Sequence, residues 1–235
     1  MKIDIIIPVY NEEDTILKIL KKIKKVEENY NYDFNVIVIN DGSSDNTHQI
    51  LSQNPELYNK LINNKINRGK GNAFKLGIKE IKGEIVIMQD ADLEYDPNDY
   101  PKLIKPFNDF QADVVFGSRF LANDGHRVLY FWHMVANKLI TLTSNIFSNL
   151  NLTDIETGYK LFKSNILKDI KFTENKFGIE VEITHKIANF MPKLKIFEVG
   201  ITYQGRTYQE GKKIGLKDAF AALFCIIKYG LFKIN

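Results

Sequence analysis

An apolar run, Glu84-Ile85-Val86-Ile87-Met88-Gln89-Asp90-Ala91-Asp92, stops in two carboxylates one residue apart, with Glu94 just beyond. The run opens after Gly83 and is rich in β-branched residues, so it reads as a buried strand. Alternation along an extended segment sends Asp90 and Asp92 the same way. Like charges so close repel unless a cation or another partner stands between them. Hard carboxylate oxygens suit Mg²⁺ or Mn²⁺, which in turn hold a substrate's phosphates. A solvated acidic turn is the competing reading, since Asp is common where strands end.

The rest of the chain supplies neighbours for that pair. Pro8-Val9-Tyr10-Asn11-Glu12 and Asn40-Asp41-Gly42-Ser43-Ser44-Asp45 each end an earlier strand pattern, at Ile3 to Val9 and Phe34 to Ile39. In a parallel sheet the carboxyl ends of strands share one edge, where ligands gather. A fourth cluster, Arg68-Gly69-Lys70-Gly71-Asn72-Ala73, offers backbone amides and two cations ahead of a helix, a candidate anion site. It lacks the Gly-Lys-Ser/Thr ending of a Walker loop and is not a full dinucleotide fingerprint. Beside a carboxylate-held cation, Arg68 and its neighbours become candidate nucleotide contacts.

The elements that must position these clusters alternate. Helical patterns at Thr15 to Lys25, from Ser44 or Asp45 toward Gln53, up to Ile81 and after Pro97 separate the strands. Short strands are expected near Leu61-Ile62 and from Asp113 to Gly117. That order predicts an α/β fold with a mostly parallel sheet flanked by helices. The last half changes character. Val128 to Leu150 reads as one long helix with a polar stripe (His133, Asn137, Thr141, Ser144, Ser148) among Trp132, Leu139, Leu142 and Ile146. Glu180 to Met191 reads as a helix and Leu194 to Tyr203 as a strand. A basic loop then leads to a helix from Leu216 to Phe232, uncharged between Ala219 and Ile227. We expect one domain over 1–235 with a specialised C-terminal part.

Composition narrows the classes. The 235 residues suffice for one α/β domain with a proper core. A net charge of +3 is too weak to imply nucleic acid. Cys225 is the one cysteine, so no internal disulfide forms, which fits a reducing compartment. It lies in an apolar helical stretch and reads as a packing residue. No signal-peptide pattern opens the chain, and no segment reaches the roughly 18 apolar residues of a membrane span. The expected location is the cytosol or the cytoplasmic face of a membrane.

Several motifs together resemble a known family. Ile-Pro-Val-Tyr-Asn-Glu at 7–12, Asp-Gly-Ser-Ser-Asp at 41–45 and Asp-Ala-Asp-Leu-Glu at 90–94 look like family-2 glycosyltransferases of the GT-A fold. Gly117-Ser118-Arg119-Phe120, Asp154-Ile155-Glu156-Thr157-Gly158-Tyr159-Lys160, Tyr203 to Tyr208 and Gly211-Lys212-Lys213-Ile214 are similar to the polyprenyl-phosphate sugar synthase branch, typified by dolichyl-phosphate mannose synthase. The resemblance spans nearly the whole chain and implies a nucleotide-sugar-binding half over 1–120 and an acceptor and membrane-interface half over 121–235. It implies that Pro8, Tyr10 and Glu12 line the nucleoside pocket and that Asp41 bonds the base or ribose. It implies that Asp90 and Asp92 hold a divalent cation, Mg²⁺ or Mn²⁺, on the diphosphate. Glu94, often Gln in relatives, would add a third carboxylate to the metal site. Arg119 would meet an anionic acceptor or the donor phosphates, although an ordinary salt bridge also suits it. Arg206 in the tail would help close the site. With Asp92, these two arginines are the expected catalytic groups.

The reaction so implied is inverting transfer of a hexosyl unit from a nucleotide sugar, GDP-mannose or UDP-glucose, to polyprenyl phosphate. A lipid phosphate is already ionised and needs no general base. A lipid hydroxyl, such as that of diacylglycerol, would need one, and Asp154 or Glu156 would serve unless they are plain loop carboxylates. On the helix after the Ser-Arg motif, relatives place an Arg and a Ser that contact lipid phosphate. Here His133 and Asn137 take those places, with Arg127 near the helix start as a substitute charge. Tyr130, Trp132 and Tyr229 suit headgroup level, and Lys212, Lys213, Lys217, Lys228 and Lys233 suit anionic lipid. Packing of the two apolar helices on each other or in a homodimer competes with that reading. A separate membrane protein is a further candidate partner. A sugar-1-phosphate nucleotidyltransferase is disfavoured, because Pro8 to Glu12 stands where its Gly-rich, lysine-containing loop belongs. A non-catalytic nucleotide-sugar-binding module stays open.

Overall fold

The computed structural model describes residues 1–121, 127–128, 130–207, 210 and 216–232, with the backbone alone for 216–218. The order is β1 (Lys2–Val9), α1 (Ile16–Tyr30), β2 (Asp33–Asn40), α2 (Thr47–Gln53), β3 (Lys60–Asn63), α3 (Lys70–Ile78), β4 (Ile85–Met88), α4 (Tyr100–Phe110) and β5 (Val114–Ser118). There follow α5 (Phe131–Ser148), β6 (Lys160–Lys163), α6 (Ser164–Asp169), α7 (Ile179–Ala188), β7 (Ile196–Gly200) and α8 (Leu216–Ile226), which runs on as a π-turn over Ile227–Leu231. The strands form one sheet in the order β3-β2-β1-β4-β6-β5-β7.

The expected α/β architecture is present, a mostly parallel sheet flanked by helices. Alternation explains how it buries both faces. Ile3, Ile5, Ile7 and Val9 of β1 pack with α1 and α4, whereas Ile6 packs on the other side with Phe74 of α3 and Ile183 of α7. The antiparallel strand β6 was not expected. It sits between β4 and β5, pairing Leu161 with Ile87 on one side and Val115 on the other. Its four residues begin and end in lysine, so no apolar run betrays it.

Asp4 breaks the apolar pattern of β1 and is fully buried. Its carboxylate accepts from the backbone N–H of Lys82 (3.0 Å) and Gly83 (2.6 Å) and from Asn35 Nδ2 (2.5 Å). It therefore fastens the turn that launches β4, the strand carrying the acidic pair.

Helix α5 is inside out. Its polar stripe faces the protein: Thr141, Ser144 and Ser148 are buried, Thr141 Oγ1 accepts from the Ile155 N–H, and Ser144 Oγ lies 3.2 Å from His185 Nε2. Leu139, Leu142 and Ile146 face outward instead, and Trp132 is 75% exposed. On α8 the outer face carries Phe220 and Phe224, with Phe232 beyond the turn. Among the described residues no helix is long and apolar enough to cross a membrane. Tyr229 departs from the headgroup expectation: it is buried, bonding Glu174 and Thr173, and Lys228 pairs with Glu174 at 2.8 Å. Lys212, Lys213, Lys233 and Tyr208 lie outside the described residues, as does the Lys217 side chain. Cys225 is a buried core residue, as its surroundings predicted.

Replacing Asp4 with Ala leaves two backbone donors and one amide buried without their acceptor. Urea denaturation should show a loss of about 3 kcal/mol relative to the unchanged chain, from hydrogen bonds to a charged group.

Candidate active site

The carboxyl ends of β1, β2, β4 and β5 open into a pocket of about 530 Å³. Pro8, Tyr10 and Glu12 enter from β1, Asp41 from β2, Asp90, Asp92 and Glu94 from β4, and Arg119 from β5. His133 and Asn137 of α5 line the far end with Ala219 and Ala222 of α8, and Arg206 arrives from the tail. Eleven of the thirteen residues expected at the site thus share one cavity. Arg68 and Arg127 do not line it.

Asp90 owes its position to its neighbours. Gln89 is buried, accepts from Tyr100 Oη (2.6 Å) and Tyr159 Oη (2.7 Å), and donates from Nε2 to the Asp90 carbonyl (2.8 Å). Gly158 lies so close that a Cβ there would collide with Asp90 Oδ2. Between Asp92 and Glu94 the backbone of Leu93 is left-handed, with φ of 62°. That is an uncommon conformation for a bulky residue, and it fits the sharp turn that lets Asp92 Oδ1 accept from the Glu94 N–H at 3.1 Å.

The protein answers the acidic edge with its own cations. Lys70 Nζ lies 2.6 Å from Asp90 Oδ1 and 2.8 Å from Glu180 Oε1. Burial alone would lower the pKa of that ammonium, but Asp90 and Glu180 outweigh it and hold it well above the ordinary lysine value. Glu180 also holds Lys160 at 2.8 Å, so Lys160, Glu180, Lys70 and Asp90 alternate in sign along one chain that runs from the buried interior to the half-buried pocket edge. Arg206 spans the other acids, with Nη2 3.0 Å from Asp92 and Nη1 3.4 Å from Glu12. Asp92 is pushed up to about 7 by burial, then by Asp90 and Glu94, with Arg206 opposing.

Several expected roles look different in three dimensions. Asp41 lines the pocket, but its Oδ2 accepts from the N–H of Arg68 (3.0 Å) and Gly69 (2.6 Å) and its Oδ1 from Asn64 (2.6 Å). Its oxygens hold the loop that precedes α3. Arg68 contributes that backbone donor while its side chain is exposed. Gly69 is required there, with φ of 98° and the Asn175 carbonyl 2.5 Å from where a Cβ would stand. Glu94 accepts from Tyr203 Oη (2.8 Å) and the Arg206 N–H (2.9 Å), fastening the tail across the pocket. Asp90, Asp92 and Glu94 thus line the same cavity, while among the described residues no group of three or more His, Cys, Asp or Glu is placed to hold a metal. The donor chemistry of Asp90 and Asp92 still fits a divalent cation, since their mutual repulsion already demands positive charge.

Arg119 is locked to Asp154 by Nε (2.6 Å) and Nη2 (2.7 Å) and lies over the Tyr203 ring at 5.2 Å. Burial would lower its pKa, but Asp154 raises it well above the usual value. Arg127 holds Glu210 at 2.8 Å and the Gly205 carbonyl at 3.1 Å, steadying the tail rather than lining the pocket. Sequence reasoning missed Glu180 and Lys160. The signal was available, because a charge set inside an apolar run must be buried with a partner.

The α/β sheet with its acidic pocket at the carboxyl edge defines a GT-A-like fold, shared with solved glycosyltransferases. Mycobacterium tuberculosis glucosyl-3-phosphoglycerate synthase, solved with Mn²⁺ and UDP-glucose, superposes with a TM-score of 0.75 at 17% identity, covering 97% of this chain and 79% of that one. Residues 4–171 match Glycosyl transferase family 2, and the chain belongs to that family. The Methanocaldococcus jannaschii protein MJ0544 is 31% identical over 221 residues, 89% of this chain and 93% of that protein. A Pyrococcus furiosus dolichol-phosphate mannosyltransferase is 25% identical over 218 residues, 91% of this chain and 61% of that enzyme.

Asp92 makes stability depend on pH. Its carboxyl lies at about 7 in the folded protein against 3.8 ordinarily, so between those values only the folded state keeps the proton. Stability from this group is full below the lower value and is lost as pH rises through the upper one. Asp92→Asn removes that loss. In chelator, the variant should melt above the unchanged protein at pH 8 and level with it at pH 4.

Proposed function

We propose that the chain moves a hexosyl unit from a nucleotide sugar of the GDP-mannose or UDP-glucose type to polyprenyl phosphate at the cytoplasmic face of a membrane. One observation supports this above the others. The pocket runs without a break from Asp90 and Asp92 to the gap between α5 and α8, whose outer faces are apolar and exposed. A donor diphosphate would lie at the acidic end and a lipid carrier would reach it from the apolar end. The dolichol-phosphate mannosyltransferase relative adds weight to a lipid phosphate acceptor.

In this reading Pro8, Tyr10, Glu12 and Asp41 frame the nucleoside, and Asp90 and Asp92 hold Mg²⁺ or Mn²⁺. The cation supplies Lewis-acid stabilisation of the departing nucleoside diphosphate. Lys70 and Arg206, which now neutralise those carboxylates, are the cations nearest the leaving charge. Tyr203 and Arg206 cover the pocket and keep water from the anomeric carbon, which becomes oxocarbenium-like. Arg119 orients the acceptor phosphate, whose ionised oxygen attacks from the opposite face without a general base. A hydroxyl acceptor such as diacylglycerol is the second reading. It is favoured by the Arg119–Asp154 pair, in which the carboxylate offsets the Arg119 charge.

Apolar patches of this kind mark interaction surfaces, and here a lipid surface fits. A membrane-protein partner or a second copy of the chain would compete for the same face. Co-sedimentation with vesicles containing anionic lipid should fall roughly tenfold or more when Phe220 and Phe224 are both changed to Ser, given about 2 kcal/mol for each buried ring. A homodimer that survives dilution without vesicle binding would overturn the membrane reading.

A radiolabelled donor panel tests the chemistry, with undecaprenyl phosphate and diacylglycerol as acceptors and Mg²⁺ or Mn²⁺ present. Label should enter the polyprenyl phosphate, and Asp92→Ala should lower the rate roughly 100-fold or more. Label in diacylglycerol alone would favour the second reading.

A further inference from the structure

One acid on the pocket wall keeps a buried oxygen without a hydrogen-bond partner among the described residues. Glu156 lies between α5 and β6 and lines the cavity, and its Oε1 is shielded from solvent with no hydrogen-bond partner. The charges around it are satisfied by one another. Asp154 holds Arg119 with both oxygens, and Glu180 holds Lys160 and Lys70. Lys160 Nζ donates to the carbonyls of Ile155 (2.9 Å) and Thr157 (2.5 Å), on either side of Glu156. The backbone at Glu156 is thus pinned while its Oε1 is left over. Buried polar atoms are nearly always paired, so an orphan at a pocket wall marks the place of a ligand group. Burial pushes this carboxyl up to about 7, with Lys160 opposing, which matches a group lacking its partner.

Its place along the pocket says which ligand group that is. The Ile155 N–H bonds Thr141 of α5, and the Gly158 N–H bonds Tyr95 Oη at 2.9 Å, with Gly158 itself against Asp90. Glu156 therefore stands just past Asp90, on the α5 side and away from Asp41. If the nucleoside is at Asp41 and the diphosphate at Asp90, the next group along is the transferred sugar. A phosphate there would be repelled by the ionised carboxylate. A hydroxyl suits it in either form, donating to a carboxylate or accepting from a carboxyl.

We propose that Glu156 binds a ring hydroxyl of the donor hexose and so helps decide which sugar is transferred. This rests on the hexosyltransferase reading above. An acceptor hydroxyl is the other source of the same chemistry, and the experiment separates the two.

Binding of UDP-glucose, GDP-mannose, UDP and GDP is measured calorimetrically with Mn²⁺ for the unchanged protein, Glu156→Ala and Glu156→Gln. Glu156→Ala should weaken the accepted sugar nucleotide by about tenfold or more, the worth of a hydrogen bond to a charged group, and leave the matching nucleoside diphosphate within twofold. One monodeoxy form of that donor should bind the unchanged protein as weakly as the full donor binds Glu156→Ala, with no further loss in combination. Glu156→Gln keeps the shape and should show a smaller loss of the same selectivity, so the question stays open to test if the Ala variant does not fold. Equal weakening of sugar nucleotide and nucleoside diphosphate overturns the proposal, as does unchanged donor binding with a raised KM for the acceptor alone. If the unchanged protein binds no sugar nucleotide and no nucleoside diphosphate, the hexosyltransferase reading fails first and this one falls with it.

Discussion

Four carboxylates, Glu12, Asp90, Asp92 and Glu94, crowd the carboxyl edge of one sheet, and their mutual repulsion sets terms for everything around them. The chain meets it with cations brought from far away in sequence. Lys70 comes from the start of α3 and Arg206 from beyond β7. Each forces a structural commitment. The loop before α3 must be tight enough to deliver Lys70, which is why Asp41 spends its oxygens on the N–H groups of Arg68 and Gly69. The tail must cross the pocket to deliver Arg206, and Glu94 and Tyr203 fasten it there. A buried charge left without its partner costs several kcal/mol, so these commitments are not optional.

The same logic shapes the half of the chain after β5. Arg119 and Asp154 close on each other, and α5 turns its polar stripe toward them and toward α7. The apolar residues of α5 are displaced to the outside, next to those of α8. Helix α5 thus keeps its polar stripe inside, α8 packs Ala222, Cys225 and Ile226 into the core, and both leave large apolar side chains exposed. The proposed lipid contact rests on that exposed apolar surface.

Much of this was legible in the sequence, though unevenly. Strands β1, β2 and β4 announce themselves as apolar runs ending in polar clusters, and because parallel strands share an edge, their convergence followed from the pattern alone. β6 was invisible, because four residues flanked by lysines have no periodicity. The polar stripe of α5 was legible, but its direction was not: periodicity shows that a helix has two faces without telling which is inside. Partner identity was the other gap. Asp41, Glu94 and Arg127 carry the right chemistry for ligands, yet the chain itself takes up much of their bonding. Tyr229 read as an interfacial ring and is buried, with Thr173 and the half-buried Glu174 bonding its hydroxyl.

Heat acts differently on the parts of this framework. Lys160, Glu180, Lys70 and Asp90 pay for their burial in lost hydration, and that hydration grows less favourable as temperature rises. The penalty on the alternating charges therefore shrinks on warming, while the gain per unit of apolar surface levels off. The electrostatic scaffold of the pocket is strained most when cold. Warming thus relaxes the penalty on these charges rather than adding to it.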